Sequence, residues 1–262
     1  MGRVRSTEEV DIIKEDFKKL ERWSNLWQMQ FNVDKCKVMH LGKHNLRVNY
    51  QIEGTDLIEV NEEKDLGVIF DDTFKVGNQC LKAAKKGNQI LGMIKRTFTC
   101  KNRKVVLNLY KSLVRPHLEY CVQAWRPHFK KDIDCLEKIQ RRATRMIEGY
   151  GKVNYDNRLK QVGLTTLETR RERADMLEVY KIMKGLEGLH EKDFFIRDNG
   201  KGRGHEFKLY KKRVRLDCAK YSFGNRICKP WNSLPCAVVE APNINLFKGR
   251  LGNFLSNIRG FK

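Results

Sequence analysis

The sequence predicts an α+β fold that is mostly α-helical. It divides into a small helix-and-hairpin segment over residues 1–74, a basic helical bundle over 75–150 and a helical C-terminal extension over 151–262. Three observations carry this reading. Between Cys36 and Asp72, short apolar runs alternate with Gly and Asn, the punctuation of small strands and turns. From Val76 the apolar spacing changes to three and four residues, the period of helices buried along one side. The charge changes at the same place. Residues 1–74 hold 11 Lys and Arg against 15 Asp and Glu, residues 75–150 hold 18 against 5, and residues 151–262 hold 24 against 12.

The elements follow in order. Ser6 with Glu9 is a capping-box pattern ahead of Val10, Ile13, Phe17, Leu20 and Trp27, which predicts an amphipathic helix over 7–29. "CKVMHL", "LRVNYQI", "LIEV" and "DLGVIF" read as three or four small antiparallel strands. A helix from Val76 buries Val76, Cys80, Ala83, Gly87, Leu91, Ile94 and Phe98 and exposes Lys75, Gln79, Lys82, Lys86, Gln89 and Arg96. A second helix, 102–114, stops before Pro116, with Val106, Leu109, Tyr110 and Leu113 inward and Lys104, Asn108, Lys111 and Arg115 outward. A third, "KDIDCLEKIQRRATRMI", packs through Ile133, Leu136, Ile139, Ala143 and Met146 and exposes Lys138, Arg141, Arg142 and Arg145. "LTTLETRRERADMLEVYKIMKG" is a helix capped by Thr166, and "RDNGKGRGHEFKLYKKRVRL" is a Gly-rich basic loop or hairpin. "GNRICKPWNSLP" and "NINLFKGRLGNFL" close the chain as short helices around Trp231, and Trp125 and Trp231 read as core anchors.

Composition narrows the function classes. With 40% hydrophobic residues the chain fills a real core, and its 262 residues fit one large domain or two small ones. No apolar run is long enough to span a bilayer, and the N-terminus lacks the apolar stretch of a secretory signal. Gly2 and Ser6 touch the myristoylation pattern, which is short and frequent by chance. The eight cysteines are scattered without a C-x-x-C pair, so the expectation is free, mostly buried thiols in a reducing intracellular compartment, nuclear or cytoplasmic. A zinc site from Cys218, Cys228, Cys236 and His205 needs irregular spacing. A formal net charge of +21, sustained after residue 75, points to a polyanionic partner.

Catalytic signatures are faint. "GVIFDD" places Asp71 and Asp72 after an apolar run, as polymerases place metal-binding carboxylates. A two-metal site needs a third acidic partner on a neighbouring strand. Asp34, Asp56 and Asp65 lack the apolar frame of a buried catalytic strand, so Asp71 and Asp72 read as turn chemistry, with Asp72 or Thr73 capping the next helix. There is no G-x-S-x-G, P-loop or H-E-x-x-H pattern, and the six histidines lack fixed carboxylate partners. Gly200, Gly202 and Gly204 lack the preceding strand of a phosphate loop. No residue is assigned a catalytic or metal-binding role.

The blocks "WQMQFNVDKCKVMHLGK", "EEKDLGVIFDD", "KKGNQILGMIKRTF", "LYKSLVRPHLEYCVQAWRPH", "DIDCLEKIQRRATRMI" and "PWNSLP", in this order, resemble the C-terminal part of reverse transcriptases from LINE-type, non-LTR retrotransposons, in the jockey and chicken-repeat group. The resemblance runs from about Gly2 to Phe254. It implies that 1–74 is the late palm, 75–150 the thumb and 151–262 the C-terminal extension. Within it, "NVDKCKVM" looks like the fourth palm motif, with Lys35 near the incoming nucleotide, and "KDLGVIFDD" looks like the primer-grip hairpin, with Leu66 and Gly67 at its signature. The resemblance also places the family's Asp-Asp metal pair before Met1. The expected activity is therefore non-specific binding of template–primer duplex, as RNA, DNA or an RNA–DNA hybrid, through Lys82, Lys86, Arg96, Lys104, Lys111, Lys138, Arg142 and Arg145. RNA-directed DNA polymerase activity, with Mg²⁺, is expected only of a longer chain. An inert or adaptor helical relic is the remaining alternative. No cofactor is expected for this chain alone.

Overall fold

Residue identity fixes the first helix locally. In the computed structural model of the protein, which describes residues 4–42, 44–198, 200 and 204–259, α1 spans Thr7–Trp27 and the Ser6 hydroxyl accepts the Glu9 N–H. Gly2 of the acylation pattern and Gly202 of the glycine series lie outside the described residues. The chain divides into two units, Met1–Lys75 and Val76–Lys262, and the second contains both the 76–150 and 151–262 segments.

In the first unit, α1 faces a small cluster through Val10, Ile13 and Phe17, and the Phe17 ring lies 5.6 Å from that of Tyr50. Leu20 and Trp27, expected on this face, point outward, and Trp27 is 63% exposed. Glu21 takes the inward place of Leu20 because its carboxylate accepts the Glu53 N–H at 2.6 Å. The strands are short: β1 (Lys37–Val38), β2 (Gln51–Ile52), β3 (Thr55–Asp56), β4 (Ile58–Glu59), β5 (Glu62–Asp65) and β6 (Val68–Asp71). They form three two-stranded ladders, β2 with β3 and β5 with β6 antiparallel, and β1 with β4 parallel. The parallel pair corrects the all-antiparallel expectation. Such a pair needs a long return connection, and residues 39–57 supply it. Both hairpins turn on two residues with positive φ, Glu53–Gly54 and Leu66–Gly67, the geometry that matches strand twist.

The second unit begins with α2 (Gly77–Thr97), which buries Cys80, Ala83, Ala84, Gly87, Leu91 and Ile94. Gln79, expected outside, is buried, and Phe98 is exposed. Next comes α3 (Arg103–Leu109), capped by Asn102, whose side chain accepts the Val105 N–H at 2.9 Å. The helical path does not stop at Pro116. A π turn over Tyr110–Val114 leads into α4 (Arg115–Glu119), with Pro116 in its first turn, where no amide N–H is needed. The wider turn rotates the inner face, so Tyr110, Val114 and Leu118 are buried while Leu113 faces out. After α5 (Val122–Trp125), α6 (Lys130–Arg145) packs on α2. A Cβ at Gly87 would lie 3.1 Å from Ile139 and 3.3 Å from Leu118, so glycine permits α2, α4 and α6 to meet.

The extension adds α7 (Tyr155–Val162), α8 (Leu167–Met183), α9 (Glu191–Phe194), α10 (Asp217–Lys220), α11 (Phe223–Arg226), α12 (Cys228–Asn232), α13 (Cys236–Val239) and α14 (Ile244–Arg259). Thr166 caps α8 by accepting the Thr169 N–H. Trp231 is fully buried beside Val179, Tyr180, Phe247 and Leu251. The Tyr180 and Phe247 rings stack 4.2 Å apart, a contact worth ~0.5–1.5 kcal/mol beyond its buried area. The closing helix is not short, because Phe247, Leu251 and Leu255 repeat at four residues against α8 and Trp231. Trp125 is buried too, its indole N–H bonded to Tyr120 O at 2.6 Å. The cysteines are free, but only Cys80 and Cys228 are buried; Cys100, Cys121, Cys218 and Cys236 are exposed, against expectation.

Asp175 on α8 joins the parts of this unit. Its carboxylate is wholly buried and accepts from Arg126 Nη1 at 2.9 Å and from Arg226 Nε and Nη2, both at 2.9 Å. Arg226 also donates to Gln123 O and Tyr221 O. Removing one partner of a buried ion cluster leaves the other charges unpaired. Asp175→Asn is therefore expected to cost about 3–5 kcal/mol in urea unfolding of the full chain, and a loss below about 1 kcal/mol would contradict the assigned role.

Candidate nucleic-acid interface

The exposed cations of the second unit are arranged by the seam between α2 and α6. A Cβ at Gly77 would lie 3.7 Å from Asp132 Oδ1, Gly87 meets Ile139, and Asn88 Oδ1 accepts from Arg142 Nη1 at 2.9 Å. Both residue numbers rise along the seam, so the helices run side by side in the same direction. At about 100° per residue, Lys85 and Lys95 share the edge of α2 that carries Asn88. Lys138, Arg142 and Arg145 share the facing edge of α6. Arg96 folds back over Gly92, where a Cβ would sit 3.8 Å from its Nη1, and so joins the same side. Arg141 continues the surface with its guanidinium 4.9 Å from the centre of the Tyr155 ring.

Four of the eight cations proposed from sequence therefore share one ridge: Arg96, Lys138, Arg142 and Arg145. Lys82 and Lys86 are exposed but lie farther round α2 from Asn88, roughly 120° and 160° away against roughly 60° for Lys85. Lys104 and Lys111 are exposed on α3 and the π turn. Sequence reasoning missed Lys85 and Lys95. Both were legible as exposed helix positions, but only the Asn88–Arg142 bond shows which edge meets α6. None of Lys85, Lys95, Arg96, Lys138, Arg141, Arg142 or Arg145 forms an ion pair among the described residues. Asp134, one turn before Lys138, is the carboxylate of this outer arc of α6.

A buried polar network sets the rotation of α6. Gln140 accepts from the Tyr110 hydroxyl at 2.8 Å, and its two amide N–H groups are shared among three acceptors, Glu137 at 3.1 Å, the Tyr155 hydroxyl at 3.0 Å and Thr165 O at 3.0 Å. Glu137 also accepts from the Tyr155 hydroxyl and from Leu167 N at 2.9 Å. Burial raises the Glu137 pKa, partly countered by the Tyr155 and Leu167 hydrogen bonds. Burial, then the Glu137 charge, raises Tyr155 well above the ordinary phenol range. Arg158 donates to Thr144 Oγ1 at 3.2 Å, and its pKa is lowered by burial and then by Arg145. The 3- and 4-residue spacing of Glu137, Gln140 and Thr144 was the available signal that α6 has a second inward side.

Comparison with protein-family models, with curated proteins and with solved structures finds no match to this chain.

In the first unit, Lys35 is exposed on a 3-10 turn, Val33–Lys35. Leu66 and Gly67 form the tip of the β5–β6 hairpin, and Leu66 is 85% exposed with φ at 43°. A leucine in that region carries backbone strain. Asp71 Oδ1 accepts from Thr73 N at 2.9 Å, Thr73 Oγ1 at 2.8 Å and Lys75 N at 2.9 Å. The Asp71 side chain thus makes the turn before α2, whereas the sequence pattern pointed to Asp72 or Thr73; the helix itself begins without a side-chain cap at Val76. Among the described residues, no group of three or more His, Cys, Asp or Glu is placed to hold a metal ion.

The network generates a pH-dependent expectation. Because the Glu137 pKa is raised above its ordinary value of 4.5 in the folded state, stability from this group falls as pH rises above 4.5 through the folded value. Tyr155→Phe removes a hydrogen bond that lowers this pKa, so the fall steepens. The variant should lose about 1–3 kcal/mol in urea melts near pH 7 and clearly less near pH 5; an equal loss at both would refute the assignment.

Proposed function

We propose that the protein binds nucleic-acid duplex without sequence preference along the α2–α6 ridge, as a chain related to the LINE-type reverse transcriptases that its sequence resembles. The supporting observation is the clustering of Lys85, Lys95, Arg96, Lys138, Arg141, Arg142 and Arg145 on one side of two packed helices without ion-pair partners among the described residues. Like charges held together on a fixed surface repel one another, and a phosphate backbone turns that repulsion into attraction while releasing its own counterions. Arg and Lys side chains suit phosphate contact, which positions a duplex without reading its bases. An RNA–DNA hybrid, with accessible phosphates and a wide, shallow minor groove, is the partner implied by the resemblance. The engagement of Asp71 Oδ1 by three donors favours a structural role for "FDD" over metal-dependent polymerisation by this chain alone. No described helix is long and apolar enough to cross a membrane.

A salt titration tests the ridge. If four to six phosphates are contacted, log K should fall against log salt with a slope of about −4 to −5, and a flat response refutes the reading. The double variant Arg142→Glu/Arg145→Glu should weaken binding by at least about tenfold to all duplex sequences alike and flatten the slope by about 2. Lys82→Glu/Lys86→Glu, farther round α2 from the α6 seam, should weaken it less; the opposite ranking would move the interface. In primer extension with Mg²⁺ the chain alone should incorporate nothing. Incorporation that Asp71→Asn abolishes would overturn the turn assignment.

A further inference from the structure

A second concentration of positive charge lies on different elements. A pocket of about 450 Å³ is lined from α4, α5, α8 and α14 by Glu119, Gln123, Arg170, Arg171, Arg173 and Lys248. Its carboxylate is already neutralised, because Glu119 takes both Arg170 Nε and, at 3.0 Å, Nη2, with Arg115 at 3.7 Å. Arg173 reaches across to α14, where its Nη2 donates to Lys248 O at 2.9 Å. Lys248 is exposed and forms no ion pair among the described residues.

Arg171 is the unusual member. It is 1% exposed, and its guanidinium has one acceptor, Leu118 O at 3.3 Å from Nη2. Nε and Nη1 have no hydrogen-bond partner among the described residues. Burial lowers its pKa, and the charges of Glu137 and Glu119 counter this only in part; the neighbouring Cys80 supplies no countercharge, since burial pushes that thiol up to about 12. A buried, unpaired guanidinium is costly unless an anion completes it. Val122 and Leu177 give the same pocket an apolar side, and its volume falls in the ordinary range for small-molecule sites.

We propose that this pocket binds the phosphomonoester group of a small organic ligand, with Arg171 at its inner wall and Arg173 and Lys248 at its mouth. A phosphomonoester carries close to two negative charges at neutral pH and suits Arg171, Arg173 and Lys248, none of which forms an ion pair among the described residues, better than a single carboxylate does. The organic part lies against Val122 and Leu177. The site is independent of the α2–α6 ridge and uses none of its residues.

The test is calorimetric titration of the full chain with inorganic phosphate and with adenosine 5′-monophosphate, with sodium chloride holding ionic strength constant. One saturable site is expected with Kd at or below the millimolar range, tighter for the nucleotide. Absence of saturable binding up to about 10 mM of either probe overturns the proposal. Arg173→Gln/Lys248→Gln, at the exposed mouth, should weaken binding at least about tenfold, and unchanged affinity overturns the site. Arg142→Glu/Arg145→Glu should leave it unchanged; loss there instead would assign the phosphate to the ridge and overturn the pocket. Arg171→Met should melt no lower than the parent and lose the phosphate-dependent rise in melting temperature. If that variant retains the rise, the inner-wall role falls; if it does not fold, the mouth variant decides. A 5′-phosphorylated dinucleotide should bind more tightly than its 5′-hydroxyl form, and equal binding would mean that the terminal phosphate is not read.

Discussion

The second unit depends on one buried carboxylate. Asp175 carries a charge into the interior, where an isolated ion would be prohibitively costly, and two guanidiniums from separate segments meet it there. Arg126 follows α5 and Arg226 ends α11, so this ion cluster ties α8 to segments about 50 residues before and after Asp175 in the chain. Arg226 extends the link through backbone carbonyls at Val122, Gln123 and Tyr221. The hydrophobic cluster around Trp231 supplies bulk burial, which is non-directional; the ion cluster supplies register.

The same chain treats charge in two opposite ways. Around Gln140, buried polar groups are matched to one another: Gln140 contacts four neighbours, Glu137 is held by two donors besides Gln140, and Tyr110 and Tyr155 complete the set. Outside, the cations of the α2–α6 ridge form no ion pairs among the described residues. The two are connected mechanically. The network locks one side of α6 inward, and the 3.6-residue period then obliges Lys138, Arg142 and Arg145 to face away from it. Arg171 departs from the interior pattern, being both buried and largely unpaired.

The first unit follows a different economy. Its strands are two to four residues long and are held by tight hairpin turns at Glu53–Gly54 and Leu66–Gly67 more than by a broad apolar face. Short ladders bury little surface and leave edges open. Val10, Tyr50, Ile52 and Val68 are its buried apolar residues, while Trp23, Leu26 and Trp27 of α1 remain exposed.

The sequence by itself determined where most helices lie, two of their caps and the inventory of charge. Ser6 and Thr166 cap because a short side-chain oxygen reaches an amide three residues on, a purely local geometry. The apolar stripe of α2 and the burial of Trp125 and Trp231 were legible because hydrophobic period and size are written in the chain. Tertiary structure alone decided which edges meet. A helical wheel places Lys82, Lys85 and Lys86 all outside, yet cannot tell which lies beside Arg142; that required the close approach at Gly87 and the bond from Asn88. The same limit hid the inward turn of Gln79, the parallel pairing of β1 with β4 and the passage of the helix through Pro116 by a π turn. Each depends on a partner distant in sequence, or on strain shared between neighbouring segments, and neither is written in any local stretch of residues.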